Sequence, residues 1–316
     1  MDESALSAGA TFGEWLGARK GGVAITGASG WIGAAAAEVV LRALPTRSEI
    51  PLRLFGSVQR TVRIGERLAN VEPLGAAEPL GPGEWLILHF AVVGADRLDG
   101  DSGDLRAAND AVLNQALALA GTGVVRRFVY ASSGAVYQAG GSPAKQGYRE
   151  MKLAQEDRVR TWSSQTGAPL LIPRIFNVGG PYINHIRAYA LGDFIAQALD
   201  GGVIRIDARR PVIRSYVHVH ELARVILDLA LGADGPMTFD TAGGDVVEMA
   251  DLALAVGRAL NRPIDIDRPP MESGEDRYVG DRRLYQEALT RSGVAPIGLD
   301  RIIRDTAAFM RRREPR

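Results

Sequence analysis

The fold class follows from residues 22–33, which read Gly22-Val-Ala-Ile-Thr26-Gly27-Ala-Ser-Gly30-Trp-Ile-Gly33. A short apolar run leads into a glycine-rich turn, and an alanine-rich segment, Ala34 to Leu44, follows. The first part is typical of a buried strand and the last part of a helix. A glycine motif between a strand and a helix predicts a phosphate-binding turn, because the helix N-terminus offers unpaired N–H groups and partial positive charge.

Each glycine of this turn has its own expected role in a dinucleotide site. Gly27 allows the tight turn out of the strand, Gly30 lets the backbone approach a pyrophosphate, and Gly33 lets the helix pack against the sheet. Trp31 and Ile32 belong to the same predicted cofactor site. An ordinary glycine-rich turn is the alternative, but strand, spacing and helix all agree with the dinucleotide interpretation.

The alternation of strands and helices continues along the chain. Strands are predicted at Leu52–Phe55, Trp85–Ala91, Arg127–Ala131 and Pro169–Phe176, and helices at Ala107–Leu119, Tyr148–Ser163, 186–200 and 219–231. This pattern predicts an α/β fold, a Rossmann-like doubly wound parallel sheet with a smaller C-terminal substrate-binding lobe. We expect a helical extension over 1–20, an NAD(P)-binding Rossmann domain with the catalytic residues over 21–175, and mostly substrate-binding lobe over 176–316.

Composition excludes several classes of protein. Hydrophobic residues make up 46% and charged residues 23%, which is ordinary for a globular chain. Lys plus Arg and Asp plus Glu are 37 each, so the basic excess of a nucleic-acid-binding protein is absent. No run approaches the roughly 20 apolar residues of a membrane span. The chain has no cysteine, and Asp2 and Glu3 stand where a signal peptide is basic, so we expect a cytoplasmic protein.

The end of the second predicted strand bears on the choice of cofactor. An NAD site usually has Asp or Glu there, bound to the ribose 2′-hydroxyl. This strand ends Leu54-Phe55-Gly56-Ser57 without a carboxylate, and Arg60 follows. Ser57 and Arg60 can bind a 2′-phosphate, which slightly favours NADP over NAD. The alternative is that Arg60 is a solvated surface residue.

A tyrosine and a lysine form the predicted catalytic pair. In Tyr148-Arg-Glu-Met-Lys152, at the start of a predicted helix, the two side chains are one turn apart on one face. A free tyrosine has a pKa of about 10, and a neighbouring ammonium lowers it. The pair alone is a weak signal. Ser132 and Ser133 strengthen it, because they follow an apolar strand whose carboxyl end is where open α/β sheets bind ligands.

Several motifs share one order with a known family. They are Thr-Gly-x-x-Gly-x-x-Gly at 26–33, Leu88-His-Phe-Ala91, Ser-Ser-x-x-Val-Tyr at 132–137, Tyr148-x-x-x-Lys152, Arg174-Ile-Phe-Asn-Val-Gly-Gly-Pro181, Arg214-Ser-Tyr-Val-His-Val-His-Glu-Leu222 and Asp276-Arg-Tyr-Val-Gly-Asp281. Together they resemble the extended short-chain dehydrogenase/reductases, and within them the nucleotide-sugar epimerase/dehydratase branch. The resemblance covers nearly the whole chain after residue 20, and its motifs are specific jointly rather than singly.

The resemblance implies roles for the catalytic and cofactor residues. Ser133 orients the reacting oxygen of the substrate, and Tyr148 acts as the acid and base. Lys152 lowers the pKa of that tyrosine and binds the nicotinamide ribose, while Ala91 belongs to the cofactor site. The helix near Ala107 and the helix of Tyr148 would form a four-helix interface, so a homodimer is expected.

The resemblance also implies a nucleotide-sugar substrate. Asn177 and Arg214 match positions that contact it, Arg214 at the diphosphate. Arg277 matches a further substrate position, although the first arginine of that family segment has no counterpart here. His218 and His220 are spaced as alternate strand residues, but we expect structural roles for them and no metal site. We expect packing or hydrogen bonding for His89 and an ion pair or cap for Glu156.

Three reactions share this machinery. An epimerase that oxidises its substrate transiently to a ketosugar ranks first, and an NADPH-dependent 4-ketoreductase of a nucleotide-linked deoxysugar ranks second. A 4,6-dehydratase ranks last, because Gly134 and Ala135 stand where such enzymes carry Asp-Glu. A non-catalytic cofactor-sensing protein is a hypothesis from a different class, and retention of Ser133, Tyr148 and Lys152 counts against it. A reductase of a small alcohol, steroid or flavonoid is a further enzymatic hypothesis, and Asn177 and Arg214 count against it.

Overall fold

The computed structural model describes residues 12–17, 21–44, 50–94, 104–121, 123–140, 142–232 and 237–313. The chain divides into two compact units. Unit 1 is Met1–Arg174 with Ala223–Phe239, and unit 2 is Ile175–Leu222 with Asp240–Arg316. The first stretch of unit 1 ends one residue before the predicted boundary at 175. The return of residues 223–239 to unit 1 was not predicted.

The described residues form nine helices and fifteen strands. The helices are α1 Phe12–Gly17, α2 Trp31–Ala43, α3 Asp104–Ala118, α4 Pro143–Thr166, α5 Ala190–Asp200, α6 Val219–Gly232, α7 Met249–Leu260, α8 Arg283–Ser292 and α9 Leu299–Arg313. The strands are β1 Gly21–Thr26, β2 Leu52–Gly56, β3 Arg60–Ile64, β4 Arg67–Pro73, β5 Glu84–His89, β6 Val124–Tyr130, β7 Ser132–Ser133, β8 Leu170–Ile175, β9 Asn177–Gly179, β10 Val203–Arg205, β11 Val212–His218, β12 Met237–Asp240, β13 Val246–Glu248, β14 Asp265–Asp267 and β15 Asp276–Tyr278.

The predicted parallel sheet of unit 1 is confirmed. Its strands follow the order β12-β8-β6-β5-β1-β2-β4-β3, with β7 paired to β8. The pairs β1–β2, β1–β5, β2–β4, β5–β6 and β6–β8 are all parallel. A parallel sheet brings the carboxyl ends of its strands to one edge, so the segments that follow β1, β5 and β6 leave the sheet on the same side.

A β-hairpin follows β2, which the sequence analysis did not predict. Strands β3 and β4 pair antiparallel, and β4 also pairs parallel with β2. Along β3 the more buried side chains, Val62 and Ile64, alternate with exposed ones, which is the pattern of a strand with one face toward solvent. The hairpin leaves only Ser57, Val58 and Gln59 between β2 and Arg60.

Helix α4 begins earlier than predicted. Pro143 occupies the first turn, and the Ser142 side chain caps the helix by accepting the Lys145 N–H at 3.4 Å. Ser at the cap followed by Pro is a preferred start. Tyr148 therefore lies in the second turn of a longer helix rather than at its beginning.

Two helices cover one face of the sheet and a third reaches the other. The core on the first face includes Leu113 of α3, Val159 of α4, and Ile87 and Phe128 of the sheet. The buried Arg127 is the neighbour of Phe128 and so points to the opposite face. There its Nε donates to the Ala230 carbonyl of α6 at 3.0 Å.

Helix α1, residues 12–17, lies within the predicted N-terminal helical extension. Phe12 and Trp15 are buried, as the packing role requires, and the Phe12 N–H donates to Asp228 at 3.3 Å. Residues 1–11 and 18–20 of the predicted extension, and the side chain of Leu16, lie outside the described part of the chain. None of the helices described is long and apolar enough to cross a membrane.

Unit 2 is built on two small sheets. Strand β11 pairs with β13, β15 and β9, and β10 pairs with β14. Helices α5, α7 and α9 pack on one another, and α9 also packs on β9 and β11. Helices α7, α8 and α9 were not predicted, although the buried Ile302, Ile303, Thr306 and Met310 of α9 recur at helical spacing.

Candidate active site

Three neighbouring strands of unit 1 end in a row of side chains. Thr26 of β1 is in register with His89 of β5, and His89 is in register with Tyr130 of β6. Thr26 Oγ1 and His89 Nδ1 are 2.7 Å apart. Two strand spacings, about 10 Å, therefore separate the start of the glycine turn from the end of β6. A dinucleotide is long enough to span that distance.

His89 is a packing and hydrogen-bonding residue, as expected. It is buried, and its ring lies 6.0 Å from the Tyr130 ring, centroid to centroid. Burial, and after it the positive charge of Lys152, lowers the pKa of His89 to about 3. The ring is therefore neutral near pH 7.

Lys152 is a buried cation held at the carboxyl end of β6. Its Nζ donates to the Ala131 carbonyl at 2.9 Å and to the Tyr130 hydroxyl at 3.3 Å. Burial lowers the pKa of Lys152 to about 8, although the charge of Glu156 acts in the opposite direction. Within the described residues two of its three N–H groups are thus used, and the third can serve a ligand.

Tyr130 fixes the position of the lysine. Its hydroxyl donates to Gln155 Oε1 at 2.7 Å, and Gln155 Nε2 donates to Asp110 at 3.0 Å. Burial first, and then the negative charges of Tyr148, Glu156 and Asp110, raise the pKa of Tyr130. Tyr130 therefore stays protonated and acts as an acceptor for Lys152 rather than as an acid.

Tyr148 and Ser133 stand on elements that pack together. Helix α4 carries the half-buried Tyr148 one turn before Lys152, and it packs on the 3-10 turn at Gly134–Tyr137. Arg149 Nε donates to the Val136 carbonyl at 3.2 Å, which ties the helix to that turn. Ser133 caps the same turn, and its Oγ accepts the Ala135 N–H at 3.2 Å. Among the hydrogen bonds of the described residues none uses the hydroxyl proton of Ser133, which can therefore be donated to a ligand.

A buried ionic cluster supports this arrangement from within α4. The Glu156 carboxylate accepts from Ser132 Oγ at 2.6 Å and from Arg174 at 2.7 and 2.9 Å, and Arg160 lies 3.3 Å away. Burial favours a raised pKa for Glu156, but the bonds from Arg174 and Ser132 outweigh it, so its pKa is lowered. Arg174 also donates to the Tyr137 hydroxyl at 2.6 Å. The expected ion pair of Glu156 is present.

The glycine turn has the geometry of a phosphate-binding loop. Gly27 has φ of 70°, and a Cβ there would lie 2.7 Å from the Ala91 nitrogen. A Cβ on Gly33 would lie 2.2 Å from the Gly27 carbonyl oxygen. Helix α2 starts at Trp31, three residues before the predicted Ala34, and no side chain caps it at Gly30. Its first N–H groups suit an anion, so the loop fits a dinucleotide pyrophosphate.

Arg60 reaches back to the glycine turn. Its Nη2 donates to Ser29 Oγ at 2.8 Å. Ser57 is exposed just after β2. Arg53 is instead committed elsewhere, since it pairs with Glu72 at 2.6 Å. The guanidinium near the end of β2 is therefore that of Arg60, next to a serine of the loop that the sequence analysis did not single out.

In unit 2, Asn177 and Arg214 lie on adjacent strands. Asn177 of β9 is in register with Tyr216 of β11, and its Nδ2 donates to the Ser215 carbonyl at 3.1 Å. Arg214 forms an ion pair with Asp276, with 2.9 Å between Nη2 and Oδ2. Arg277 follows Asp276 on β15, is exposed, and so points away from the pair.

His218 and His220 interact locally. The His220 N–H donates to His218 Nδ1 at 3.2 Å, and His218 Nε2 lies 3.3 Å from Asp305. Burial, then the charge of His220, lowers the pKa of His218 to about 4, although Asp305 acts in the opposite direction. Among the described residues, no three or more His, Asp or Glu side chains are grouped so as to hold a metal ion.

Comparison with known proteins relates part of the chain to one family. Residues 85–236 match the model of the NAD-dependent epimerase/dehydratase family. This match covers just under half of the chain and agrees with the resemblance to the extended short-chain dehydrogenase/reductases. A UDP-glucuronic acid decarboxylase of Arabidopsis thaliana is 31% identical over 120 residues, which cover 38% of this chain and 35% of the relative. The aligned part thus spans about a third of that relative's length.

Solved structures show the fold of the chain. The UDP-glucose 4-epimerase of Thermus thermophilus in complex with NAD has a TM-score of 0.65 and 20% identity, covering 92% of this chain and 98% of its own. The protein RMD of Pseudomonas aeruginosa in complex with NADPH has a TM-score of 0.66 and 18% identity, covering 92% and 99%. At these identities the likeness establishes the fold alone.

Proposed function

We propose that the protein is an NAD(P)-dependent oxidoreductase that transfers a hydride between a nicotinamide and a hydroxyl-bearing or ketone carbon of a nucleotide-linked sugar. One observation carries the proposal. The ammonium of Lys152 is buried at the carboxyl end of β6, one helical turn from Tyr148, on a helix packed against the turn that Ser133 caps. A buried cation beside a phenol favours proton transfer by that phenol near neutral pH.

The residues have distinct proposed tasks. The glycine turn of Gly27, Gly30 and Gly33 brings the pyrophosphate to the first N–H groups of α2, which hold it. The nicotinamide, when bound, supplies or accepts the hydride. Ser133 donates a hydrogen bond to the reacting oxygen. Tyr148 removes the proton of that oxygen during oxidation and returns it during reduction. Lys152 keeps the phenol acidic and uses its remaining N–H for the ribose.

The reaction proposed first is epimerisation through a transient ketosugar, and the second is 4-ketoreduction with NADPH. The family's description names epimerases and dehydratases, which supports the first. Arg60 beside Ser29 supports the second, because a 2′-phosphate site suits NADPH, which exchanges as a reductant. Incubation with nucleotide-linked hexoses and 4-ketohexoses separates them. An epimerase interconverts two sugars without net cofactor consumption, whereas a reductase oxidises one NADPH per product.

The test of the mechanism is Tyr148→Phe. This change keeps the ring but deletes the group proposed to carry the proton, so turnover should fall by about 10² or more. Cofactor affinity should stay nearly unchanged. Near-full turnover in this variant would show that another group carries the proton, and equal inactivity of wild type and variant toward the whole panel would favour the cofactor-sensing alternative.

The test of cofactor choice is a titration with NADPH and NADH. We propose that Ser57 and Arg60 bind the 2′-phosphate, with Ser29 holding the guanidinium of Arg60. Wild type should bind NADPH more tightly, and Arg60→Ala should remove that preference. Arg63→Ala, which deletes an exposed arginine from the same strand, is the matched control. A tenfold preference of wild type for NADH, about 1.4 kcal/mol, would reverse the assignment.

A further inference from the structure

Arg214, which we propose binds the substrate's diphosphate, forms an ion pair with Asp276. Arg214 Nη1 donates to Asp276 Oδ1 at 3.2 Å and to the Asp276 carbonyl at 2.9 Å, while Nη2 donates to Oδ2 at 2.9 Å. The contact is bidentate, the geometry in which a guanidinium also binds a phosphate. Asp276 thus fills the recognition face that a diphosphate would use.

The strands and rings around the ion pair of Arg214 and Asp276 hold it in place. Strands β11 and β15 run parallel, with Val212 opposite Asp276 and Arg214 opposite Tyr278. The Arg214 guanidinium lies 5.6 Å from the centre of the Tyr278 ring, and that ring packs on Phe176 at 4.6 Å. The arginine side chain is 17% exposed and the aspartate 41%. The aspartate is therefore the partner that solvent and ligands reach more easily.

The pair also changes the charge that a ligand meets. Arg214 with Asp276 has no net charge, and Arg268, also in unit 2, is paired with Glu248 at 2.9 Å. A diphosphate that approached Arg214 would meet the carboxylate of Asp276 within a few ångström. Like charges at that distance repel, and they do so more strongly where water is partly excluded.

We propose that Asp276 is a specificity-determining residue: it is a built-in counter-ion that the substrate's diphosphate must displace from Arg214. This inference rests on the proposed role of Arg214 at the diphosphate. With Asp276 in place, a nucleoside diphosphate binds weakly unless the rest of the substrate adds contacts. The enzyme therefore discriminates a complete nucleotide-linked sugar from the free nucleoside diphosphate that remains when the sugar is lost.

The experiment is a calorimetric titration with UDP, dTDP and GDP at low ionic strength, with NADPH in excess so that the glycine turn is filled. Asp276→Asn keeps the shape of the side chain and removes its charge. This variant should bind whichever of the three nucleoside diphosphates binds most tightly with an affinity at least tenfold higher than that of wild type. Glu275→Gln removes an exposed charge from the preceding residue and should stay within threefold of wild type.

Arg214→Gln, alone and combined with Asp276→Asn, completes a double-mutant cycle. It should weaken binding strongly in the Asp276→Asn background and little in wild type, because in wild type the guanidinium is already occupied. Equal or weaker binding by Asp276→Asn, or binding by neither protein, would overturn the proposal. The proposed oxidoreductase function is judged separately by cofactor titration and by Tyr148-dependent turnover, neither of which requires Asp276.

Discussion

The burial of Lys152 has a measurable thermodynamic consequence. In the folded chain its pKa is lowered from 10.5 to about 8, chiefly by desolvation. Between these values the unfolded chain binds a proton that the folded chain releases, so raising the pH favours the folded state. The penalty of burying the ammonium, about 3 kcal/mol, is fully present below about pH 8 and is lost as the pH rises toward the unfolded value.

The substitution Lys152→Met isolates this contribution. Methionine retains much of the apolar stem but has no charge to titrate. The loss of the bonds to Ala131 and Tyr130 changes stability too, but by a nearly constant amount over this range. Between about pH 7 and about pH 9.5, wild type should therefore gain roughly 2 kcal/mol of unfolding free energy relative to the variant. Lys145→Met, which removes an exposed ammonium from the same helix, is the matched control.

Two measurements check this expectation. Urea denaturation at several pH values gives the difference between wild type and variant directly. The chain has only three lysines, Lys20, Lys145 and Lys152, so nitrogen NMR of labelled lysine resolves each ammonium. The signal lost in Lys152→Met should titrate near pH 8. Titration near 10.5, with an unchanged stability difference, would mean that the ammonium of Lys152 is solvated, so that the buried cation on which the proposed function rests would be absent.

Two further predictions concern cofactor binding and assembly. Gly30→Val should abolish cofactor binding, because its side chain would lie where the pyrophosphate approaches the backbone. The chain should still fold, because a Cβ there would lie 3.2 Å from the Gly27 carbonyl oxygen, a contact that small shifts relieve. Gly81→Val, placed in open space, is the control for folding and binding, and unchanged cofactor affinity in Gly30→Val would contradict the loop assignment. Light scattering should find a homodimer through α3 and α4, and a monomer at micromolar concentration would contradict that expectation.

Much of unit 1 could be read from local patterns. Apolar runs of strand length, helical spacing and the glycine turn predicted β1, β2, β5, β6 and β8, because these signals act over a few residues. The hairpin β3–β4 was missed, since its strands are short and half exposed. Helix α4 starts earlier than predicted, because Ser142 caps it and Pro143 occupies its first turn.

The candidate site also combines features that the local sequence predicts with features that depend on tertiary packing. The spacing of Tyr148 and Lys152 on one helix, and the position of Ser133 after a strand, are local properties that the order of residues expresses. The burial that lowers the pKa of Lys152 is not local, because it requires β6 and α4 to pack and Tyr130 to meet the ammonium. No spacing rule predicts such a desolvation.

The pairings of charged side chains depend on tertiary structure most of all. Arg60 meets Ser29 across 31 residues, and Arg214 meets Asp276 across 62. The order of residues alone predicts that Arg60 is either a phosphate ligand or a solvated side chain, and that Arg214 is a diphosphate ligand. Parallel pairing of β11 with β15 brings Asp276 to Arg214, and this register arises from backbone hydrogen bonds between distant segments. The sequence motifs therefore predict the chemistry of this chain, whereas the packing of its strands determines which charged side chains meet.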